Sequence, residues 1–100
     1  MTYGYINSIG TKPGARDDVV AILLSGTDGL RSAGCLQYTV AVDPTDESTI
    51  WVTEVWESKE QHTASLQLPE TEAAIAKAMP LLTGEFHPTE TTVIGGLGLD

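Results

Sequence analysis

Large apolar and polar side chains alternate along four stretches of the chain, and this two-residue period predicts strands. Over Thr2–Gly10, Tyr3, Tyr5, Asn7 and Ile9 share one face, and Gly4 inside the run marks a weak point or a close backbone approach. Over Gly34–Val42, Leu36, Tyr38, Val40 and Val42 alternate against Cys35, Gln37 and Thr39. Over Ile50–Trp56, Val52, Glu54 and Trp56 fall on one face and Trp51, Thr53 and Val55 on the other. This third run, rich in Trp and Val, suits a half-buried pleated surface. Phe86–Ile94 gives the last strand, followed by a glycine-rich tail or arm, Gly95–Leu99.

Between the strands the period lengthens. After the turn Lys12-Pro13-Gly14, the residues Ala15, Val19, Ile22, Gly26 and Leu30 make an amphipathic stripe. Asp17 and Asp18 sit in its first turn, where the helix dipole favours anions, while Gly26 and Gly29 predict fraying or termination. Asp43–Ser48 is polar and suits a hairpin. Ser58-Lys59-Glu60-Gln61 reads as a capping box, with Ser58 as N-cap and Gln61 reaching back to it, so a helix starts almost where the third strand ends. His62 lies one turn inside that helix. Pro69 breaks a continuous helix but is tolerated at the start of a new one, along which Thr71, Ile75, Ala78/Met79 and Leu82 form a second short stripe, disturbed at Pro80.

The order is β-α-β-β-α-β, an α+β arrangement. Two right-handed split units of this kind predict one ferredoxin-like domain over residues 1–100, an antiparallel four-stranded sheet with helices on one side. The other sheet face would stay bare while carrying large apolar groups. A second copy covering it, in a homodimer, is the economical arrangement.

Composition narrows the partners. Fourteen acidic residues against five basic ones give a net charge of −9, with no basic cluster, which argues against nucleic acid. No apolar run reaches the roughly 20 residues of a membrane span. The N-terminal segment lacks the basic and apolar regions of a signal peptide, so the chain reads as cytoplasmic. Cys35 is the sole cysteine, His62 and His87 lie far apart, and no metal-ligand spacing is present. Chemistry here would use an organic substrate, with a loosely held cofactor or none.

The candidate chemistry gathers at the end of the third strand. Trp56 at the strand exit and His62 in the next helix are placed to share one water-poor cleft, Trp56 as a stacking surface or as plain core, His62 as a proton acceptor near neutral pH or as a half-exposed bystander. Glu54 is costly to bury unpaired. It is a base with a raised pKa or a structural group bonded to Lys59 or a tyrosine, the latter being the commoner fate. Asn7 is available to a substrate carbonyl or to a neighbouring backbone group. Tyr38 and Phe86 read as pocket wall or core, and Cys35 as a small buried hydrophobe.

Four pieces in order resemble the antibiotic biosynthesis monooxygenase family with its quinol-oxidising members: Lys12-Pro13-Gly14, Gly34-Cys35-Leu36-Gln37-Tyr38, Asp43-Pro44, and Glu54-Val55-Trp56-Glu57-Ser58 leading to His62. The resemblance implies a dimeric α/β barrel, two ferredoxin-like sheets packed face to face. It also implies an oxidoreductase that needs no cofactor or metal and uses O₂ on a hydroquinone or polycyclic phenol. An electron-rich deprotonated substrate passes an electron to O₂ itself, so the protein binds an aromatic plate, directs a proton and excludes water. On this reading Trp56, His62 and Glu54 are catalytic, and Asn7, Val52, Tyr38, Leu66 and Phe86 contact the ligand. In the polyketide-oxidising branch, pocket positions match Trp56 and His62 (a Tyr there), while an Asn falls at Val52 and an Arg near Ile75. A haem-degrading branch shares Asn7, but Leu66–Met79 contains no His to ligate iron. A non-catalytic module for aromatic ligands, and an isomerase or cyclase using Glu54 or His62, are the competing readings, since fold alone does not fix function.

Overall fold

The structure, a computed structural model, describes residues 2–99. Its middle is formed by β1 (Thr2–Thr11) and β3 (Thr49–Trp56), with β2 (Cys35–Val42) flanking β3 and β4 (Leu82–Val93) flanking β1, all neighbours antiparallel. The connections carry α1 (Arg16–Leu24) and α2 (Thr27–Ser32) between β1 and β2. They carry α3 (Lys59–Ser65), α4 (Pro69–Ala78) and a 3-10 turn (Met79–Leu81) between β3 and β4. This is the ferredoxin-like α+β arrangement that the order of elements predicts. No helix among the described residues is long and apolar enough to cross a membrane.

Residues directly opposed in antiparallel strands point to the same side. Tyr5 stands between Glu54 and Glu90, Asn7 between Val52 and Pro88, and Ile9 between Ile50 and Phe86. The face read from Tyr3, Tyr5, Asn7 and Ile9 is therefore continuous with Ile50, Val52, Glu54 and Trp56. Helices cover it in two places. Ile9, Val19, Ile50 and Val52 form one buried cluster, sealed by Val20, Leu23, Val40 and Leu81. Tyr3, Cys35 and Trp56 form a second, against Leu30, Ala33 and Tyr38. The opposite face carries Ile6, Trp51, Thr53 and Thr91, and its Trp51 is 42% exposed.

Several boundaries differ from those the pattern predicts, each for a local reason. A bulge between Cys35 and Gln37 moves Cys35 to the side of Tyr38 and Trp56, so the strict alternation that set Cys35 against Tyr38 fails there. The stripe ending at Leu30 is split in two: α1 stops at Leu24 and α2 starts after Gly26, which serves as its N-cap residue. Along α4 the inward side is Ala78 with the half-buried Thr71, whereas Ile75 and Met79 are exposed, so the second stripe does not face the core as a unit. Pro80 ends that helix in a 3-10 turn and Leu82 already pairs with Thr11, which starts β4 four residues before Phe86. Beyond Val93, the tail turns back on itself through the Leu99 N–H to the Gly96 carbonyl (3.1 Å), with Ile94 and Leu97 fully in solvent.

Gly34 and Gly4 answer to close approaches. Gly34 has φ +104°, a backbone region that side chains disfavour, and a Cβ there would run into the Gln61 amide on α3. Its carbonyl accepts the Glu57 N–H (3.0 Å), tying the entry of β2 to the strand-to-helix junction. A Cβ at Gly4 would strike the Thr91 hydroxyl across the β1–β4 pair.

Candidate active site

The junction between β3 and α3 positions the chemistry. Ser58 adopts extended backbone and its hydroxyl accepts the Gln61 N–H (3.2 Å), the capping bond that Ser-x-x-Gln predicts. The reciprocal arm differs from the capping-box expectation: the Gln61 side-chain oxygen accepts the Ser58 hydroxyl proton (2.9 Å), and its amide donates to Glu57 (3.0 Å). With α3 started at Lys59, His62 comes round to face the sheet.

His62 is buried in an aromatic box. Its ring lies 4.7 Å from the Tyr5 ring, 5.3 Å from Tyr3 and 5.5 Å, edge-on, from Trp56. Trp56 is 1% exposed and His62 7%. Glu54 forms the floor: one carboxylate oxygen accepts the Trp56 indole N–H at 2.9 Å and stands 3.7 Å from His62 Nε2. The three residues singled out from the sequence are thus in one place, on one side of the sheet. The partners foreseen for Glu54 are different, however. Lys59 and Tyr3 both turn to Glu90 on β4, at 3.0 and 2.7 Å, and leave Glu54 to the indole and the imidazole.

Burial acts against the charged form of both groups. Burial raises the Glu54 carboxyl above the usual glutamate value, with the indole hydrogen bond pulling the other way. Burial lowers the His62 imidazole, an effect that the negative Glu90 opposes and the positive Lys59 reinforces. Tyr3 is raised well beyond an ordinary phenol by burial and by its bond to Glu90, and Tyr5 is raised by burial and by Glu54. A neutral imidazole can take a proton from a bound hydroxyl, and a carboxylate beside it balances the imidazolium so formed, the paired-group logic of many acid–base sites.

The remaining candidates spread out. Tyr38 packs between both apolar clusters, its phenol raised by burial. Val52 lies deep in the first cluster and Ile75 is in solvent, so neither position offers a polar pocket group. The Asn7 side-chain oxygen accepts the His87 N–H (3.1 Å), beside Pro88, and so supports the edge strand. Leu66, the C-cap residue of α3, and Phe86 on β4 are both exposed. The box is closely packed, with all three rings centred within 5.5 Å of the imidazole. A hollow of about 150 Å³ lies next door between α2 and β2, where Leu30, Cys35 and Tyr38, members of the Trp56 cluster, meet Arg31 and Gln37. Among the described residues, no group of three or more His, Cys, Asp or Glu side chains is placed to hold a metal ion.

Tyr3, Tyr5 and Glu90 do not stand out in the sequence as site residues. The two tyrosines are visible there as one face of a strand, but their meeting with His62 depends on the β1–β3 register, and that of Glu90 on the β1–β4 register.

A ferredoxin-like α+β sheet of this order defines a class of fold, and sequence and structure comparisons agree on it. The profile of the family described as antibiotic biosynthesis monooxygenase matches residues 2–77, and the chain belongs to that family. A solved structure from Chloroflexus aurantiacus, assigned to the same family, is 45% identical, with all of both chains covered and a TM-score of 0.88. Rv0793 from Mycobacterium tuberculosis is 20% identical over 96% of this chain and 98% of that one (TM-score 0.81). SnoaB from Streptomyces nogalater, a cofactor-independent oxygenase solved as a point mutant, is 13% identical over 96% of each chain (TM-score 0.79), a likeness of fold alone. No curated protein sequence matches the chain.

Proposed function

We propose that this protein is a cofactor-independent monooxygenase that oxidises a hydroquinone or polycyclic phenol with O₂. The observation that carries the reading is the largely buried Glu54–His62 approach under an aromatic roof. A neutral His62 accepts the substrate's hydroxyl proton, and Glu54, 3.7 Å away, stabilises the imidazolium so formed. The resulting phenolate is electron-rich enough to reduce O₂ by one electron, and the radical pair recombines at a ring carbon. One oxygen atom stays on the ring and the other leaves as water, so that a hydroquinone plus O₂ gives a hydroxyquinone plus water. Trp56, Tyr3 and Tyr5 supply a dry apolar surface for the anion and the oxygen.

The fold likeness to SnoaB, itself a cofactor-independent oxygenase, supports the class of chemistry. The hollow beside Tyr38 and Cys35 is the natural approach, though at about 150 Å³ it is smaller than the roughly 300–1,000 Å³ of typical ligand sites. Substrate binding therefore requires α2 or α3 to yield. A second copy on the bare sheet face, burying Trp51, completes the barrel in this reading.

The experiment is O₂ consumption by metal-free protein with a panel of naphthohydroquinones and anthrones. Uptake above autoxidation that is lost in His62→Ala supports the reading; no uptake across the panel overturns it. The closed packing of the box favours one alternative, a non-catalytic binder of aromatic ligands, for which ligand would quench Trp56 fluorescence without consuming O₂.

A further inference from the structure

We infer that Glu90, an exposed residue on the edge strand β4, is a positioning residue for His62. It acts by fastening the Tyr3 ring and the helix α3 to one point above the aromatic box. The inference rests, for its catalytic meaning, on the proposed role of His62 as proton acceptor; the fastening itself rests on geometry.

Three elements meet at this carboxylate. The Tyr3 hydroxyl of β1 donates to Glu90 Oε2 at 2.7 Å, and Lys59 Nζ of α3 approaches the same oxygen at 3.0 Å. Lys59 lies three residues before His62, one turn along the helix, and the Tyr3 ring lies 5.3 Å from the imidazole. One oxygen thus restrains both the helix that carries His62 and one wall of the box around it. The restraint is needed. The helix α3 has seven residues, and a helix that short holds its shape through what it packs against. Beyond its ring packing, the polar approach of His62 to the sheet is the 3.7 Å to Glu54, long for a hydrogen bond. An exposed ion pair by itself adds little. Here the phenol bond, to a Tyr3 that is itself buried, gives the carboxylate a fixed position from which to hold Lys59.

The groups that face His62 are Glu54 from β3, Tyr3 and Tyr5 from β1, Glu90 from β4 and Lys59 from its own helix. Glu90 therefore affects His62 in two ways of opposite sign. Its charge favours the imidazolium. Its fastening keeps the ring dry, which disfavours it. Two substitutions separate them. Glu90→Gln removes the charge but leaves an oxygen for the Tyr3 hydroxyl. Glu90→Ala removes both.

The test is the titration of His62 followed by NMR of histidine-labelled protein, with folding checked by circular dichroism. Glu90→Gln is expected to lower the His62 midpoint. Glu90→Ala is expected to place it higher than Glu90→Gln does, by roughly half a pH unit or more, as water enters the loosened box. Tyr3→Phe keeps the ring and the charge but loses the bond. It should raise the midpoint above wild type, and it stands in for Glu90→Ala if that variant does not fold. Midpoints that move together in the two Glu90 variants, or a Tyr3→Phe midpoint equal to that of wild type, overturn the inference. If the wild type consumes O₂, Glu90→Ala should also lower kcat severalfold with a displaced pH profile and a nearly unchanged KM. If it does not, the NMR result still decides the fastening while the oxygenase reading falls.

Discussion

One oxygen of Glu54 both accepts the Trp56 indole proton at 2.9 Å and faces His62 Nε2 at 3.7 Å, so a single carboxylate links the last residue of β3 to the first inward residue of α3. In an antiparallel sheet a largely buried mid-strand glutamate is costly, and here the indole N–H offsets part of the cost. Removing either member changes what the other can do. Glu54→Gln keeps an acceptor for the indole but cannot stabilise an imidazolium. Turnover, where O₂ uptake measures it, should fall by about 10–100-fold, and by about 10²–10⁴-fold in His62→Ala. Equal activity in both variants and wild type would remove the pair from the mechanism.

The same pair shapes stability against pH. Burial raises Glu54 in the folded state above its ordinary 4.5, so the folded chain holds that proton to higher pH than the unfolded chain. Its contribution is complete below 4.5 and is lost as pH rises through the folded value. His62 is lowered from 6.5, so its contribution is complete above 6.5 and is lost as pH falls through the folded value. The melting temperature of Glu54→Gln minus that of wild type should therefore grow from about pH 4 to about pH 8. For His62→Gln the same difference should be larger at about pH 5 than at about pH 7.5. Thermal melts at four or five pH values check both signs.

Trp56 is nearly sealed and anchors the second cluster with Tyr3 and Cys35. Trp56→Ala should cost about 3–5 kcal/mol, a large share of the roughly 5–15 kcal/mol that holds a domain of this kind together. Trp56→Phe retains a ring and is the variant to use for activity, since it removes the indole donor to Glu54 without emptying the core. Urea unfolding of the two variants gives the comparison.

At Gly34 the backbone, rather than packing, sets the expectation. Its φ of +104° and the crowding against Gln61 both oppose a side chain. Gly34→Ala should destabilise by about 1–3 kcal/mol in chemical denaturation, whereas Gly29→Ala, in open space on α2, should be neutral or stabilising.

The uncovered sheet face makes a further prediction. If a second copy buries Trp51, the native mass is twice that of the chain, and Trp51→Arg should shift it toward the single-chain value in sedimentation. A single-chain mass in the parent protein would remove the barrel from the proposed function.

How far the sequence leads is clear from particular residues. The alternation of Val52, Glu54 and Trp56 and the Ser58 cap place Trp56, Glu54 and His62 together, because period and capping are local properties that a short stretch specifies. The partners of Glu54 and Lys59 are not legible in it. They depend on which residue of β4 lies opposite Tyr5, and register is decided by contacts between segments more than eighty residues apart. Cys35 falls on the wrong side for a related reason: a bulge inserts one residue without any composition signal, and every later side chain keeps its facing while the earlier one flips. Asn7 is open between substrate and backbone, and its bond to the His87 N–H beside Pro88 follows from the pairing of the edge strand.

That bulge has a practical side. Facing inward, the sulfur of Cys35 donates to the Gln37 carbonyl at 3.2 Å, and burial pushes the thiol up to about 11, so at neutral pH it is almost wholly protonated and a poor nucleophile. The single thiol of the chain is thereby kept inert. The rate at which a maleimide or disulfide reagent labels Cys35 becomes a built-in clock for how often the wall beside Trp56 swings open.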